Sequence, residues 1–290
     1  MQPDKHGEPV TVFNWSVTKP DGGSTAEQAR AFLQVTGGQL ECAAWGNAPG
    51  DSIALVLLHE GLGCVDLWRG FPSSLAQASG CGVFAYSRFG YGRSDACSLP
   101  RPLDYMTREA TDVLPEVLDA TGIKRCVLVG HSDGATISAI NAGSVQDHRV
   151  RGVVLIAPHF FTEPFAQQSI REAKEQYDNA DLKARLAKYH SNADVAFRGW
   201  NDAWLDPEFE TDWDVSDVIE YIRVPVLAIQ GEDDQYGSRA QIDVLEQRLY
   251  SPIDVQMIAD CKHSPHLEAP EPSCEHIAAF VKRLIRIDHG

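Results

Sequence analysis

The sequence predicts an α/β protein: a mostly parallel central sheet flanked by helices, with a helical lid inserted late in the chain. Three observations carry this. Short, continuously apolar runs alternate with amphipathic stretches along most of the 290 residues, and runs apolar on both faces suit parallel strands covered on both sides. One such run, Arg125–Val129, leads into Gly130-His131-Ser132-Asp133-Gly134 and then Ala135–Ile140, which reads as strand, sharp turn and helix. Between Pro158 and Ser216 no strand pattern occurs, an interval too long for a simple connection.

Residues 1–31 carry Pro3, Pro9, Pro20 and Asp21-Gly22-Gly23-Ser24 with little periodicity, and read as an N-terminal arm, partly disordered or wrapped on the surface. The first part of the core spans 32–158. Phe32 to Gly46 reads as two short strands around Gly37-Gly38, a hairpin. Strands follow at Ile53–Leu58, Gly82–Tyr86, Val127–Val129 and Val153–Ile156, with helices over Leu67–Ala78, Asp104–Asp119 and Thr136–Ala142. The lid, 159–215, contains helical patterns at Glu163–Tyr177, Asp181–Tyr189 and Ala193–Trp204. The second part of the core, 216–290, has strands at Pro225–Ile229 and Asp254–Ile258 and helices at Ser238–Leu249 and Ser273–Ile285.

Hydrophobic residues make up 43% of the chain, enough for a sizeable core. Lys and Arg number 25 against 41 Asp and Glu, a formal net charge of -16, which repels phosphate backbones and anionic lipid and argues against nucleic-acid or membrane partners. No apolar run approaches the roughly 18 residues of a membrane span, and Met1–Pro20 shows no apolar leader. The seven cysteines are odd in number, scattered and without a C-x-x-C pair, as in a reduced, cytoplasmic protein. The histidines are too dispersed for a zinc site, so neither metal nor cofactor is expected.

Glycines two apart around Ser132 let the chain turn tightly and hold the serine strained at a helix N-terminus, its hydroxyl exposed. A serine needs a base, and the base needs an orienting acid. Gly231-Glu232-Asp233-Asp234 follows one strand directly, and Asp260-Cys261-Lys262-His263-Ser264-Pro265-His266 follows another. In open parallel sheets the functional crevice lies beyond the strands' carboxyl ends, so these segments can converge on Ser132. The residues alone leave the acid as Asp233 or Asp234 and the base as His263 or His266.

Leu58-His59-Glu60-Gly61-Leu62-Gly63, Ser87-Arg88-Phe89-Gly90-Tyr91-Gly92-Arg93-Ser94, the Ser132 turn, Gly231–Asp234, and His263 followed by Glu268-Ala269-Pro270 together resemble the α/β-hydrolase superfamily over nearly all of 32–286. The resemblance implies the α/β-hydrolase fold and a catalytic Ser132, Asp234 (third after the glycine) and His263. It also implies an oxyanion hole built from the N–H of Asp133 and, by position, that of Gly61, with the N–H of Leu62 as the alternative second donor. Family proteins usually read His-Gly where this chain reads His59-Glu60. An untied Glu60 carboxylate would oppose an oxyanion, so a structural hydrogen-bonding role is expected for it. The same likeness implies that the Arg88–Arg93 loop packs behind the centre, with Arg88 in a buried ion pair.

The aromatic lid suggests a pocket for a small, largely apolar substrate, with Leu62, His131, Phe160, Phe161, Trp200, Trp204 and His266 as candidate lining. The expected function is a serine hydrolase that cleaves a carboxylic ester or thioester through an acyl-enzyme. Two alternatives stand beside it: a carbon–carbon bond hydrolase of aromatic ring-fission products, and a non-catalytic ligand-binding receptor on the same fold. Haloalkane dehalogenases and epoxide hydrolases of this family use aspartate where this chain has Ser132. The expected partner is a small molecule; oligomeric state is not legible.

Overall fold

A computed structural model describes residues 13–15 and 29–288. Eight strands form one sheet: β1 (Ala29–Val35), β2 (Gly38–Trp45), β3 (Ala54–Leu58), β4 (Val83–Tyr86), β5 (Cys126–His131), β6 (Val150–Ile156), β7 (Val226–Gly231) and β8 (Ile253–Ile258). Their order across the sheet is β1-β2-β4-β3-β5-β6-β7-β8. The pairs β1–β2 and β2–β4 are antiparallel, and every other pair is parallel. Most of the predicted arm lies outside the described residues. Its last residues, from Ala29, belong to β1, and Phe13 is buried against Trp15 and Phe84.

The apolar runs of β3 to β7 are strands because each buries both faces, whereas β8, at the sheet edge, is only half-buried throughout. Val56, Leu58, Leu128, Leu155 and Ala228 point into one core, and Leu55, Leu57, Val127, Val129, Val154, Ile156 and Ile229 into the other, the alternation a pleated strand imposes. The second core is closed by α1 (Phe71–Ser79) and, from the far end of the chain, α11 (Pro270–Asp288), through Leu75, Ile277, Phe280 and Val281. The first is closed by α3 (Leu114–Thr121), which continues a short α2 (Tyr105–Arg108) through one wide turn, and by α4 (Asp133–Ile140). The helix expected from Leu67 starts only at Phe71. Arg69 takes φ 52°, which no helix tolerates, and Pro72 sits in the first turn, where its missing N–H costs nothing.

Between β6 and β7 the chain forms α5 (Pro164–Asn179), α6 (Leu182–Leu186), α7 (Ala193–Trp204) and α8 (Pro207–Asp212). The last was not expected. Asp206 caps it by accepting from the Glu208 N–H at 2.9 Å. After β7 come α9 (Arg239–Arg248) and, after β8, α10 (Pro265–Glu268). Among the described residues no helix is long and apolar enough to cross a membrane.

Candidate active site

β5 delivers Ser132 to the head of α4. The serine adopts φ 53°, ψ -119°, a backbone state that costs a non-glycine residue on the order of 1–3 kcal/mol. The surroundings impose it. The Ser132 N–H donates to the Ile156 carbonyl at 2.9 Å, and the Ser132 carbonyl accepts from Ala135 N–H at 2.9 Å. A Cβ on Gly134 would overlap the Leu58 carbonyl, and one on Gly130 would overlap the backbone of Gly134. The glycines therefore serve close approach of α4 to β3 and of the turn to itself.

His263 reaches the same place from the loop after β8. Its Nδ1 lies 2.9 and 2.8 Å from the two carboxylate oxygens of Asp234, whose side chain is fully buried. That carboxylate also accepts from Gln230 Nε2 at 2.7 Å, Tyr236 N–H at 2.8 Å and Gly237 N–H at 3.3 Å. Burial pushes the Asp234 carboxyl up, but the charge and hydrogen bond of His263 and the Tyr236 N–H outweigh it and hold the group below its usual value. An ionised carboxylate only accepts, so Nδ1 of His263 carries the hydrogen, and in the neutral ring Nε2 is the basic nitrogen. Asp233 is exposed, and its N–H merely ties the two loops together by donating to the Cys261 carbonyl.

The loop after β3 is held from behind. His59 Nε2 accepts from the Arg88 N–H at 3.0 Å, so its Nδ1–H donates to the Glu60 carbonyl, 2.7 Å away, and Arg88 Nη2 donates to that carbonyl at 2.9 Å. Arg88 also lies 3.6 Å from the buried Asp133 carboxylate, which accepts from Tyr105 Oη at 2.6 Å. Tyr105 Oη in turn accepts from Trp204 Nε1 at 3.0 Å, linking α7 to the residue after Ser132. On the other side His190, in the loop after α6, accepts from Gly92 N–H at Nδ1 and donates from Nε2 to the Leu62 carbonyl, 3.1 Å away.

Glu60 finds its partner in His131. The carboxylate is 3.4 Å from His131 Nδ1, while His131 Nε2 is 2.8 Å from the His263 carbonyl. Both ring nitrogens face acceptor oxygens, so both bonds form only when both nitrogens carry hydrogen. Burial raises the Glu60 carboxyl, yet the hydrogen bond and charge of His131, with His59 and His266 behind, hold it well below its ordinary range. The Glu60 carboxylate is thereby tied to His131 rather than left free beside the β3 loop.

A cavity of about 100 Å³ opens over Ser132 and His263. The β3 loop contributes Glu60, Gly61 and Leu62; α5 and α7 contribute Ala166, Ile170, Trp200 and Trp204; His159 and Tyr236 complete the wall. A Cβ on Gly61 would overlap the Trp200 indole. Of the expected pocket residues, Leu62, Trp200 and Trp204 are in the wall, and four stand outside it. Phe160 is fully buried, with its N–H donating to Gln241; Phe161 bridges to Asp214; His131 supports the His263 loop; His266 is enclosed by Trp68, Phe71 and His131. His159, Tyr236, Ala166, Ile170 and the supporting His190 were not anticipated. His159 and Tyr236 follow strands β6 and β7, the same strand-end position that singled out Ser132, Asp234 and His263.

A model of the alpha/beta hydrolase family matches residues 55–275. The chain is 26% identical to ABHD11 of Danio rerio, an sn-1-specific diacylglycerol lipase, over 267 residues covering 80% of each. It is 22% identical to epoxide hydrolase 3 of Xenopus tropicalis across 94% of this chain and 84% of that one. The fold superposes on proline iminopeptidase of Mycobacterium smegmatis with a TM-score of 0.69 at 18% identity, over 90% of this chain and 100% of the other.

Proposed function

The chain belongs to the alpha/beta hydrolase family, and from that premise we propose that it is a serine hydrolase cleaving a carboxylic ester or thioester of a small, largely apolar substrate through an acyl-enzyme. The observation that carries this is the convergence of Ser132 and an Asp234-paired His263 on one cavity. His263 Nε2 takes the Ser132 proton as Oγ attacks the carbonyl carbon. The N–H groups of Asp133 and Gly61 hold the resulting oxyanion, a term on the order of 10²–10³ in turnover per donor. Collapse breaks the bond to the leaving oxygen or sulfur, which leaves with the proton from His263. Water then attacks the acyl carbon, gives its proton to His263, and releases the acid while Ser132 regains its hydrogen.

The size and apolar walls of the cavity support a small acyl group, since about 150 Å³ holds a benzene ring. With Ser132 in the elbow, the chain lacks the aspartate that the family pattern gives epoxide hydrolases. Helices α5–α8 serve as the lid over this site. Seven unpaired cysteines, six of them buried, support a reducing, cytoplasmic setting.

The test is labelling of Ser132 by a fluorophosphonate together with turnover of short p-nitrophenyl esters. Ser132→Ala and His263→Ala are each expected to lower kcat by about 10⁶, and the double variant by little more. Absence of label and of turnover in the unsubstituted protein sinks the proposal in favour of a silent binder.

A further inference from the structure

His159 is, with Glu60 and Tyr236, one of the polar residues of the cavity wall whose side chains the mechanism above leaves unused. It stands three residues beyond β6, and its backbone is pinned by Thr136 Oγ1, which donates to the His159 carbonyl at 2.6 Å. Its ring packs between the Trp204 indole, centroids 5.4 Å apart, and the His263 imidazole, 5.5 Å away. The residue is only 4% exposed, and what remains open faces the cavity. Among the described residues neither ring nitrogen makes a hydrogen bond. Of the other buried imidazoles near the site, His59, His131 and His190 each bond through both nitrogens, while His266, whose Nδ1 is likewise without a hydrogen-bond partner, is enclosed by Trp68, Phe71 and His131 outside the cavity wall.

Burial, with the charge of His263 adding to it, pushes His159 down to about 3. The ring is therefore neutral at ordinary pH and presents one N–H donor and one lone pair. A buried polar group is rarely left without a partner, and this one is aimed into a substrate-sized space. The sheet order places His159 relative to the groups of the mechanism. β3, bearing the oxyanion loop, lies on one side of β5; β6, bearing His159, lies on the other, toward β7 and β8, whose loops bring Asp234 and His263. A leaving group departs on the side of the residue that protonates it. His159 is on that side.

Resting on the serine-hydrolase reading, we propose that His159 is a specificity-determining residue that hydrogen-bonds the leaving group. The preferred substrate is then an ester whose alcohol portion carries a second hydroxyl or carbonyl close to the scissile bond. A site built to hydrogen-bond a substrate hydroxyl discriminates against the analogue lacking it, because the site's own polar group is left unpaired.

Propyl and 2-hydroxyethyl butyrate test this. They share an acyl-enzyme and nearly share a shape, so their kcat/KM ratio reads the leaving-group side alone. The unsubstituted protein is expected to favour the hydroxyethyl ester about tenfold. His159→Phe should bring the ratio to one or below, and His159→Gln should retain part of the preference. Fluorophosphonate labelling of Ser132 certifies that each variant is folded at the site. A ratio near one in the unsubstituted protein overturns the inference whether or not either variant folds, as does a preference that survives His159→Phe. Either result leaves the serine-hydrolase reading standing, whereas loss of Ser132 labelling in the unsubstituted protein removes that reading and this one together.

Discussion

Four donors converge on the Asp234 carboxylate: His263 Nδ1, Gln230 Nε2 and the N–H groups of Tyr236 and Gly237. Its neighbour Asp233 faces solvent. Asp234→Asn exchanges one acceptor oxygen for a donor and turns the His263 tautomer, and is expected to lower kcat by about 10⁴. Asp233→Asn should stay within a few-fold. Steady-state ester kinetics on both variants checks this, and equal effects would reassign the acid. The contrast between two adjacent aspartates is invisible in composition. The family pattern separated them by counting from Gly231, and the physical reason is that only Asp234 turns inward under Tyr236. His159 and Glu60 were harder. A histidine or glutamate in the sequence carries no sign of whether its partner is a base, a backbone carbonyl or nothing, because that partner arrives from another strand.

At the scale of elements, the turn from β5 into α4 was the most legible part of the chain. Its geometry needs two residues without a Cβ at fixed offsets from the serine, and that requirement is written locally as Gly130 and Gly134. Gly134→Ala would drive a methyl into the Leu58 carbonyl and lift α4 from β3. It is expected to cost about 1–3 kcal/mol, the usual penalty for overpacking a filled core. Ser132 labelling should be lost with it. Urea denaturation alongside labelling measures both, and a variant of undiminished stability would mean that α4 does not sit this close. The helices of the lid were legible as helices but not as walls. Their aromatic residues read alike, yet Tyr177 stacks on Phe197 at 3.8 Å and Phe209 on Trp213 at 4.7 Å within the insertion, while Trp200 and Trp204 line the cavity. A 3.6-residue period identifies a buried face; it does not say what that face is buried against.

At the scale of the whole molecule, four imidazoles among the described residues are held neutral chiefly by burial: His59, His159, His190 and His266, all with values depressed from an ordinary 6.5. The unfolded chain binds protons at these sites below about 6.5 while the folded chain does not, so the unfolded state gains protons and stability falls as pH falls. Each fully depressed group contributes up to about 1.4 kcal/mol per pH unit in that range. The urea midpoint is expected to drop steeply from about pH 7.5 to about pH 5, and His190→Gln should make that slope shallower. A flat midpoint across that interval would contradict the burial of these rings.

The sequence by itself determined what depends on neighbours along the chain. The both-face apolar runs that make parallel strands, the glycine-flanked serine and the strand-end placement of Asp234 and His263 are all of this kind. Tertiary structure alone decided what depends on neighbours across it: the turning inward of Asp234, the pairing of Glu60 with His131, the choice of Trp200 and Trp204 as walls, and the unpartnered ring of His159. Backbone sterics and periodicity act over a few residues and leave a local trace. Desolvation, hydrogen-bond partnership and cavity shape are set by groups brought together only when distant segments pack.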